Sequence, residues 1–233
     1  MTDVNPIASR LDAVLARIRA AEAAYGRAPG SVRLLAVSKG HPADAIRACA
    51  AAGQRCFGES YLQEAAGKIE ALADLAAEWH FIGHIQGNKT RAIAEHFAWV
   101  HSLDNPQHAR RLNQQRPVEL PPLNVCLQVN VSGEAQKGGL PPEAVQDLAA
   151  TIAELSRLRL RGLMAIPAPS EGFGAQRGAF RVLRLLFEQL GAEHRELDTL
   201  SMGMSNDLEA AIAEGASIVR VGTAIFGPRL YPA

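Results

Sequence analysis

The sequence has few lysines, few aromatic residues and no net charge. Aromatic residues make up 5% of the 233 residues, and 24 acidic side chains balance 24 basic ones. This balance argues against a nucleic-acid-binding protein, because such proteins carry a basic stripe. Lysines are so rare that each can be weighed separately: Lys39, Lys68, Lys89 and Lys137.

Long apolar runs and paired cysteines are also lacking. Residues 1–20 mix acidic, basic and apolar side chains, unlike a signal peptide, and no later run is long enough to span a membrane. The three cysteines form no Cys-x-x-Cys motif and match no metal spacing, which favours a reducing compartment: Cys49, Cys56 and Cys126. We therefore expect a cytoplasmic protein.

Apolar runs typical of buried strands alternate with amphipathic helical patterns along the chain. The predicted strands are Arg33–Lys39, Arg55–Glu59, Trp79–His84, Trp99–Leu103, Asn124–Val131, Arg159–Ile166, Thr199–Met202 and Ile218–Phe226. Seven helices separate them, and a further helix, Asn5–Tyr25, precedes them. No Gly-x-Gly-x-x-Gly turn follows the first strand, and no linker divides the chain. We therefore predict a single α/β domain over residues 1–233, a (β/α)8 TIM barrel with an extra N-terminal helix.

Lys39 ends the first predicted strand, and in such barrels the chemistry lies at the C-terminal ends of the strands. A lysine at a strand end can simply extend into water. In a narrow barrel mouth its pKa can instead be lowered, and the neutral amine then forms a Schiff base with an aldehyde. The residues alone leave both interpretations open.

Two later strand ends are suited to binding an anion. Residues 201–206 lead from a strand towards a helix, with a hydroxyl on Ser201 and close backbone approach at Gly203. The other end is Gly222-Thr223 on the last strand, and barrels often bind phosphate after strands seven and eight. A lysine that reacts with an aldehyde, together with a phosphate site at the same mouth, suits a cofactor that carries both groups, and pyridoxal 5′-phosphate is such a cofactor.

Alternatives exist for both the anion site and its neighbour Arg220. Asn206 and Glu209 have the spacing of an ordinary capping box, although the pairing with Gly222 favours phosphate. Arg220 lies two residues before Gly222, so both point to the same face of the strand. A buried arginine needs an acceptor, which is either a barrel acid such as Glu59 or a bound ligand.

The remaining lysines and histidines predict less. Lys68 follows Glu64 by four residues, which is typical of a surface ion pair. Lys89 begins a helix from which it can reach the barrel mouth. Lys137 lies in a glycine-rich loop, either solvated or serving as a mobile second amine that accepts the cofactor. His80 is expected to be a hydrogen-bonded core residue, and we predict no metal site and no catalytic triad.

Several motifs, taken in order, resemble the pyridoxal phosphate homeostasis protein family. They lie at residues 35–39, 57–59, 79–83, 86–89, 162–167, 200–205 and 219–227. The resemblance covers nearly the whole chain and implies a barrel similar to the N-terminal domain of bacterial alanine racemases. It also implies pyridoxal 5′-phosphate bound as a Schiff base on Lys39.

The resemblance implies a cofactor site around Lys39. Its members are Lys39, Ser60, Met164, Ser201, Gly203, Arg220, Gly222 and Thr223. Arg220 matches the arginine that faces the pyridine nitrogen, and the serine, threonine and two glycines of strands seven and eight match positions near the phosphate. The family usually has asparagine at position 60. Because Ser60 is shorter, a direct contact with the cofactor becomes a water-bridged one.

The resemblance further implies vitamin B6 homeostasis and supply, with effects on amino-acid balance and no catalytic turnover. An arginine can only donate to the pyridine nitrogen, so it weakens the electron sink. The alternative is a small amino-acid racemase using Lys39 as base, but residues 227–233 leave no room for the racemases' second domain. Other B6 vitamers and apo-enzymes that use the cofactor are candidate partners. We expect a monomer.

Overall fold

Eight parallel strands close into a barrel in the order in which they occur along the chain. The computed structural model describes residues 6–134 and 138–229, so Asn5 and Lys137 lie outside the described residues. The strands are β1 (Arg33–Val37), β2 (Cys56–Glu59), β3 (Glu78–Phe81), β4 (Trp99–Leu103), β5 (Leu123–Gln128), β6 (Leu158–Met164), β7 (Thr199–Ser201) and β8 (Ile218–Val221). The predicted (β/α)8 barrel is thereby confirmed.

Helices surround the barrel and connect its strands. They are α1 (Pro6–Ala24), α2 (Ala43–Ala51), α3 (Leu62–Ala71), α4 (Thr90–His96), α5 (Pro106–Gln115), α6 (Val145–Ala153), α7 (Phe173–Gly191), α8 (Leu208–Ala213) and α9 (Thr223–Phe226). Short 3₁₀ turns, Gly87–Lys89 and Pro142–Ala144, lead into α4 and α6. No helix within the described parts of the chain has the length and apolar character needed to cross a membrane.

The predicted last strand, Ile218–Phe226, is wrong in its second half. β8 ends at Val221, and the Ile225 and Phe226 amides donate to the Gly222 carbonyl to form α9. The run of β-branched and aromatic residues is typical of a strand. The strand nevertheless ends before Gly222, because tertiary context overrides β-propensity in residues 223–226. Thr223 therefore begins a helix rather than extending a strand.

The predicted N-terminal helix is confirmed over Pro6–Ala24 and covers the barrel next to α8 and α9. Leu11, Val14 and Ile18 recur at helical spacing and are buried in the core. Arg17 binds both carboxylate oxygens of Glu209 on α8, at 2.8 and 3.0 Å. These contacts fix the segment that follows β7, which forms part of the barrel mouth.

Polar side chains occupy much of the barrel interior. His101 on β4 contacts Ser201 on β7, and because these strands are not neighbours the contact must cross the interior. Arg220 is also buried, whereas Trp99, Cys126 and Met164 form a small separate apolar cluster. Buried polar groups need partners, and the site is built from them.

Candidate functional site at the barrel mouth

Lys39 stands in the loop that follows β1, at the C-terminal end of the barrel. Its side chain is half-buried, and its chain neighbours are the fully buried Ser38 and the partly exposed Gly40. Burial lowers the pKa of Lys39, and the positive charges of Arg229 and Arg220 lower it further, against the opposing effect of Glu59. A lowered pKa leaves more of the amine neutral and nucleophilic at neutral pH.

A buried ion network lies directly behind Lys39. Lys68 on α3 is 7% exposed, and its Nζ donates to Glu59 Oε1 at 2.7 Å, to Glu64 Oε1 at 2.5 Å and to the Ser38 carbonyl at 2.8 Å. The predicted pair with Glu64 is confirmed, but its predicted surface position is wrong. Glu59, at the end of β2, draws Lys68 inward because a buried carboxylate needs a partner.

The same network holds the backbone on both sides of Lys39. The Ser38 hydroxyl donates to Glu59 Oε1 at 2.6 Å, and the Gly40 amide donates to Glu64 Oε1 at 2.7 Å. Burial raises the pKa of Glu59 although Lys68 opposes the shift. Among the described residues, Glu59 Oε2 finds no hydrogen-bond partner. The lysine is therefore presented from a rigidly held loop.

Arg220 lies inside the barrel and is held by oxygen atoms of neighbouring strands. Its guanidinium donates to the Ser201 carbonyl at 2.5 Å, to the Ser201 hydroxyl at 2.9 Å and to the Ala165 carbonyl at 2.8 Å. Burial lowers its pKa to about 10, so it stays charged at neutral pH. The proposed salt bridge between Arg220 and Glu59 is wrong, since Glu59 pairs with Lys68.

A chain of hydrogen bonds continues from Ser201 through the barrel. The Ser201 hydroxyl is 2.8 Å from His101 Nδ1, His101 Nε2 is 2.8 Å from His80 Nδ1, and His80 Nε2 is 2.9 Å from Glu78 Oε1. The bond from His80 holds the pKa of Glu78 at about 2, so this carboxylate only accepts. The proton of each neutral imidazole then points towards Glu78, and the Ser201 proton points towards His101.

These hydrogen bonds confirm His80 as a hydrogen-bonded core residue. They also predict that the stability of the fold decreases in acid. Burial lowers the pKa of both His80 and His101, so below about pH 6.5 the unfolded chain takes up protons that the folded protein does not. The free energy of unfolding should therefore fall with decreasing pH, by up to about 1.4 kcal/mol per pH unit for each histidine.

Urea unfolding between pH 5 and 7.5 measures this dependence. A His101→Gln variant is expected to show a shallower slope, and His96→Gln, which replaces an exposed histidine outside the hydrogen-bonded series, serves as the control. A wild-type stability that does not change between pH 5 and 6.5 would contradict the assignment of two neutral buried imidazoles.

The backbone of β7 and β8 approaches the mouth closely at two glycines. Gly203 has φ +92°, and a Cβ there would lie 2.5 Å from the Ala211 Cβ. A Cβ on Gly222 would lie 3.0 Å from the Val37 carbonyl oxygen. The cleft beside them is lined by Ser205 and Thr223, whose hydroxyls can donate. The two glycines are therefore needed for close packing, and the cleft with its two hydroxyls is the part suited to an anion.

The capping-box alternative for this segment is wrong. α8 begins at Leu208, and the residue before it is Asp207, whose Oδ1 accepts from the Met204 amide at 2.5 Å. Glu209 pairs with Arg17 of α1 instead of reaching back to Asn206. The segment 203–206 is consequently a loop at the mouth, and its carbonyls accept hydrogen bonds from other parts of the protein.

The other predicted site residues divide between the mouth and the interior. Ser60 lines a second cleft at the mouth, together with Tyr61, His84 and Lys89. Met164 pairs with Ser201 in the strand register and is fully buried. The structural roles of Lys68, Glu78 and His101 were not predicted from the sequence. The alternation of Glu78 with His80 on one strand face is the signal from which the chain could have been found.

Comparisons with known proteins agree with this architecture. The family model described as alanine racemase, N-terminal domain, matches residues 9–230. The chain is 60% identical over 230 residues to a pyridoxal phosphate homeostasis protein of Pseudomonas aeruginosa, covering 99% of each chain. It is 51% identical over 231 residues to a protein of that name from Escherichia coli K12, covering 98% of this chain and 99% of the other.

A solved structure is similar over nearly its whole length. PipY of Synechococcus elongatus PCC7942, determined with PLP bound, is 38% identical and superposes with a TM-score of 0.83. The match covers 95% of this chain and 100% of that one. The similarity to PipY in fold and the similarity in sequence therefore both cover the whole barrel.

Proposed function

Since the chain belongs to the pyridoxal phosphate homeostasis protein family, we propose that it binds pyridoxal 5′-phosphate as a Schiff base on Lys39. Its role is the intracellular homeostasis and supply of this cofactor, with effects on amino-acid balance. The observation that carries the proposal is the half-buried Lys39, with its lowered pKa, at a barrel mouth that also holds Arg220 and a cleft lined by Ser205 and Thr223. The PLP-bound relative PipY supports it.

Lys39 supplies the nucleophile, and its surroundings keep it available. When bound, the cofactor contributes an aldehyde that condenses with an amine and a phosphate that anchors it. The network of Glu59, Glu64 and Lys68 fixes the loop, so the Lys39 amine need not be ordered at the moment of binding. Its lowered pKa makes the neutral amine accessible.

Arg220 supports binding rather than turnover. Three bonds to Ser201 and Ala165 hold its guanidinium in the place that the family resemblance assigns to the pyridine nitrogen. An arginine has only donors, and it stays charged, so it leaves that nitrogen unprotonated. The ring then withdraws electrons weakly, which suits a protein that carries the cofactor.

The phosphate end is assigned to the loops after β7 and β8. Ser205 and Thr223 offer hydroxyl donors in the cleft there, while Gly203 and Gly222 allow these loops to pack closely against Ala211 and Val37. Ser201 is committed to His101 and Arg220, so we assign it to holding the arginine. This arrangement follows the usual phosphate position of such barrels.

We further propose how the chain is organised, what Ser60 and Met164 contribute to the site, and which molecules the protein meets. We assign the whole chain, residues 1–233, to one monomeric cofactor-binding domain. Ser60 contacts the cofactor through water, while Met164 forms the interior wall beside Ser201. Other B6 vitamers and apo-enzymes that need the cofactor are its proposed partners.

Borohydride reduction followed by peptide mass mapping tests the proposal. Reduction of protein incubated with pyridoxal 5′-phosphate should fix the label on the peptide containing Lys39. Lys89, which lines the neighbouring cleft, is the internal control and should stay unlabelled. Labelling at another lysine, or no label at all, would overturn the assignment.

An amino-acid racemase remains the second candidate, because the family model is that of an alanine racemase domain. Two-base racemisation needs a proton-transfer group on each face of the cofactor. Lys39 serves one face, and the exposed Tyr61 and His84 are the nearby groups for the other. The curated relatives are named homeostasis proteins, not enzymes. Racemisation of alanine that is lost in Lys39→Ala would replace the carrier function.

A further inference from the structure

Cys56, Glu78 and His80 form a cluster at the end of the barrel opposite Lys39. Cys56 and Glu78 begin β2 and β3 and pair directly in the strand register. Cys56 Sγ lies 3.6 Å from Glu78 Oε1, and His80 Nε2 lies 2.9 Å from the same oxygen. One donor atom from each residue thus falls within 4.8 Å of the others. The cofactor site makes no use of Cys56.

We propose that Cys56, Glu78 and His80 form a Zn²⁺ site, with water as the fourth ligand. Thiolate, imidazole and carboxylate are the donors that zinc takes in tetrahedral sites, at about 2.0–2.3 Å. Such bonds place neighbouring donors roughly 3.3–3.7 Å apart. The sulfur–oxygen distance of 3.6 Å already matches, and the nitrogen–oxygen distance of 2.9 Å needs to open by a few tenths of an ångström.

The surroundings of His80 already contain the support that a zinc-bound histidine needs. Such a histidine donates its second ring N–H to an acceptor. His80 Nδ1 is 2.8 Å from His101 Nε2, and His101 Nδ1 is 2.8 Å from the Ser201 hydroxyl. With zinc on Nε2 the proton of each imidazole points towards Ser201, whose oxygen accepts from both His101 and Arg220.

Charge and access also suit the ion. A thiolate and a carboxylate together neutralise Zn²⁺, so no net charge enters the barrel. Arg33 now lies 3.5 Å from Glu78 Oε1, but it also sits 5.2 Å above the Trp99 ring and is half-exposed. It can leave Glu78 and keep the ring contact. Cys56 and Glu78 are partly exposed, which gives the ion a path from solvent.

Equilibrium dialysis of the full chain against Zn²⁺, with metal analysis, tests the site. One zinc per chain is expected. Cys56→Ala and Glu78→Gln should each weaken zinc binding by more than about a hundredfold, since losing even a hydrogen-bond partner of a metal ligand costs about tenfold to a hundredfold in affinity. Cys49→Ala is the matched control, because Cys49 is a buried free cysteine on α2, outside the cluster. Its zinc affinity should match that of the wild type.

Cobalt(II) reports the ligands directly. Co²⁺ bound to the wild type should give a thiolate-to-metal charge-transfer band that Cys56→Ala lacks and Cys49→Ala retains. Circular dichroism verifies that each variant is folded. Zinc binding that is unaffected by Cys56→Ala, or no binding at all, would overturn the proposal. Neither result bears on Lys39, whose borohydride labelling is measured without added metal.

Discussion

Replacing Lys68 by methionine is expected to lower the free energy of unfolding by about 3–5 kcal/mol, the usual consequence of leaving a buried charge unpaired. Glu59 is fully buried, and Lys68 is the cation that it contacts. The variant also removes the Lys68 bond to the Ser38 carbonyl, which keeps its other bond from the His41 amide. Urea denaturation at pH 7 measures the loss. Arg47→Met is the control, because the pair of Arg47 with Asp74 is exposed and screened by solvent, so its loss should change stability far less.

The pH dependence of the Lys68→Met variant shows whether the unpaired Glu59 carboxylate causes this loss of stability. Lys68 normally lowers the pKa of Glu59, which burial raises, so its removal raises this pKa further. The folded variant then keeps a proton that the unfolded chain releases, and stability is lost as pH rises above about 4.3. A double variant with Glu59→Gln should recover most of the stability. Equal losses in the single and double variants would contradict this explanation.

The fold and the position of Lys39 at the barrel mouth could be predicted because both depend on local sequence pattern. Eight alternations of strand and helix leave few arrangements other than a barrel, and strand ends then converge on one mouth. Lys39 and Arg220 follow from counting along a strand, with side chains alternating between the two faces. The structure bears out the barrel and places Arg220 inside it.

Long-range pairing could not be predicted in the same way. The spacing of Glu64 and Lys68 is identical in a surface pair and a buried one, and only the position of Glu59 on another element decides between them. The contact of His101 with Ser201 joins residues 100 positions apart, across the barrel. Neither contact can be predicted from the local sequence pattern, because both depend on strand register and on which face of each strand or helix points inward.

Replacing Lys39 by alanine is expected to abolish covalent retention of pyridoxal 5′-phosphate while the protein stays folded. The phosphate cleft and Arg220 remain, so residual affinity should persist but fall by at least about tenfold, or 1.4 kcal/mol. Gel filtration after incubation with the cofactor, with and without borohydride, separates covalent from non-covalent binding. Lys89→Ala is the matched control, being a lysine of the neighbouring cleft, and should retain the wild-type label.

The stability of Lys39→Ala separates a working amine from a structural one. Burial disfavours the charged form of Lys39 in the folded protein, so its removal should leave the free energy of unfolding at pH 7 unchanged or raise it. Lys68→Met should do the opposite, because its charge is paired with Glu59. A Lys39→Ala protein that loses stability as Lys68→Met does would mean that Lys39 holds the barrel mouth together. A stable protein without the label would identify Lys39 as the cofactor's attachment point.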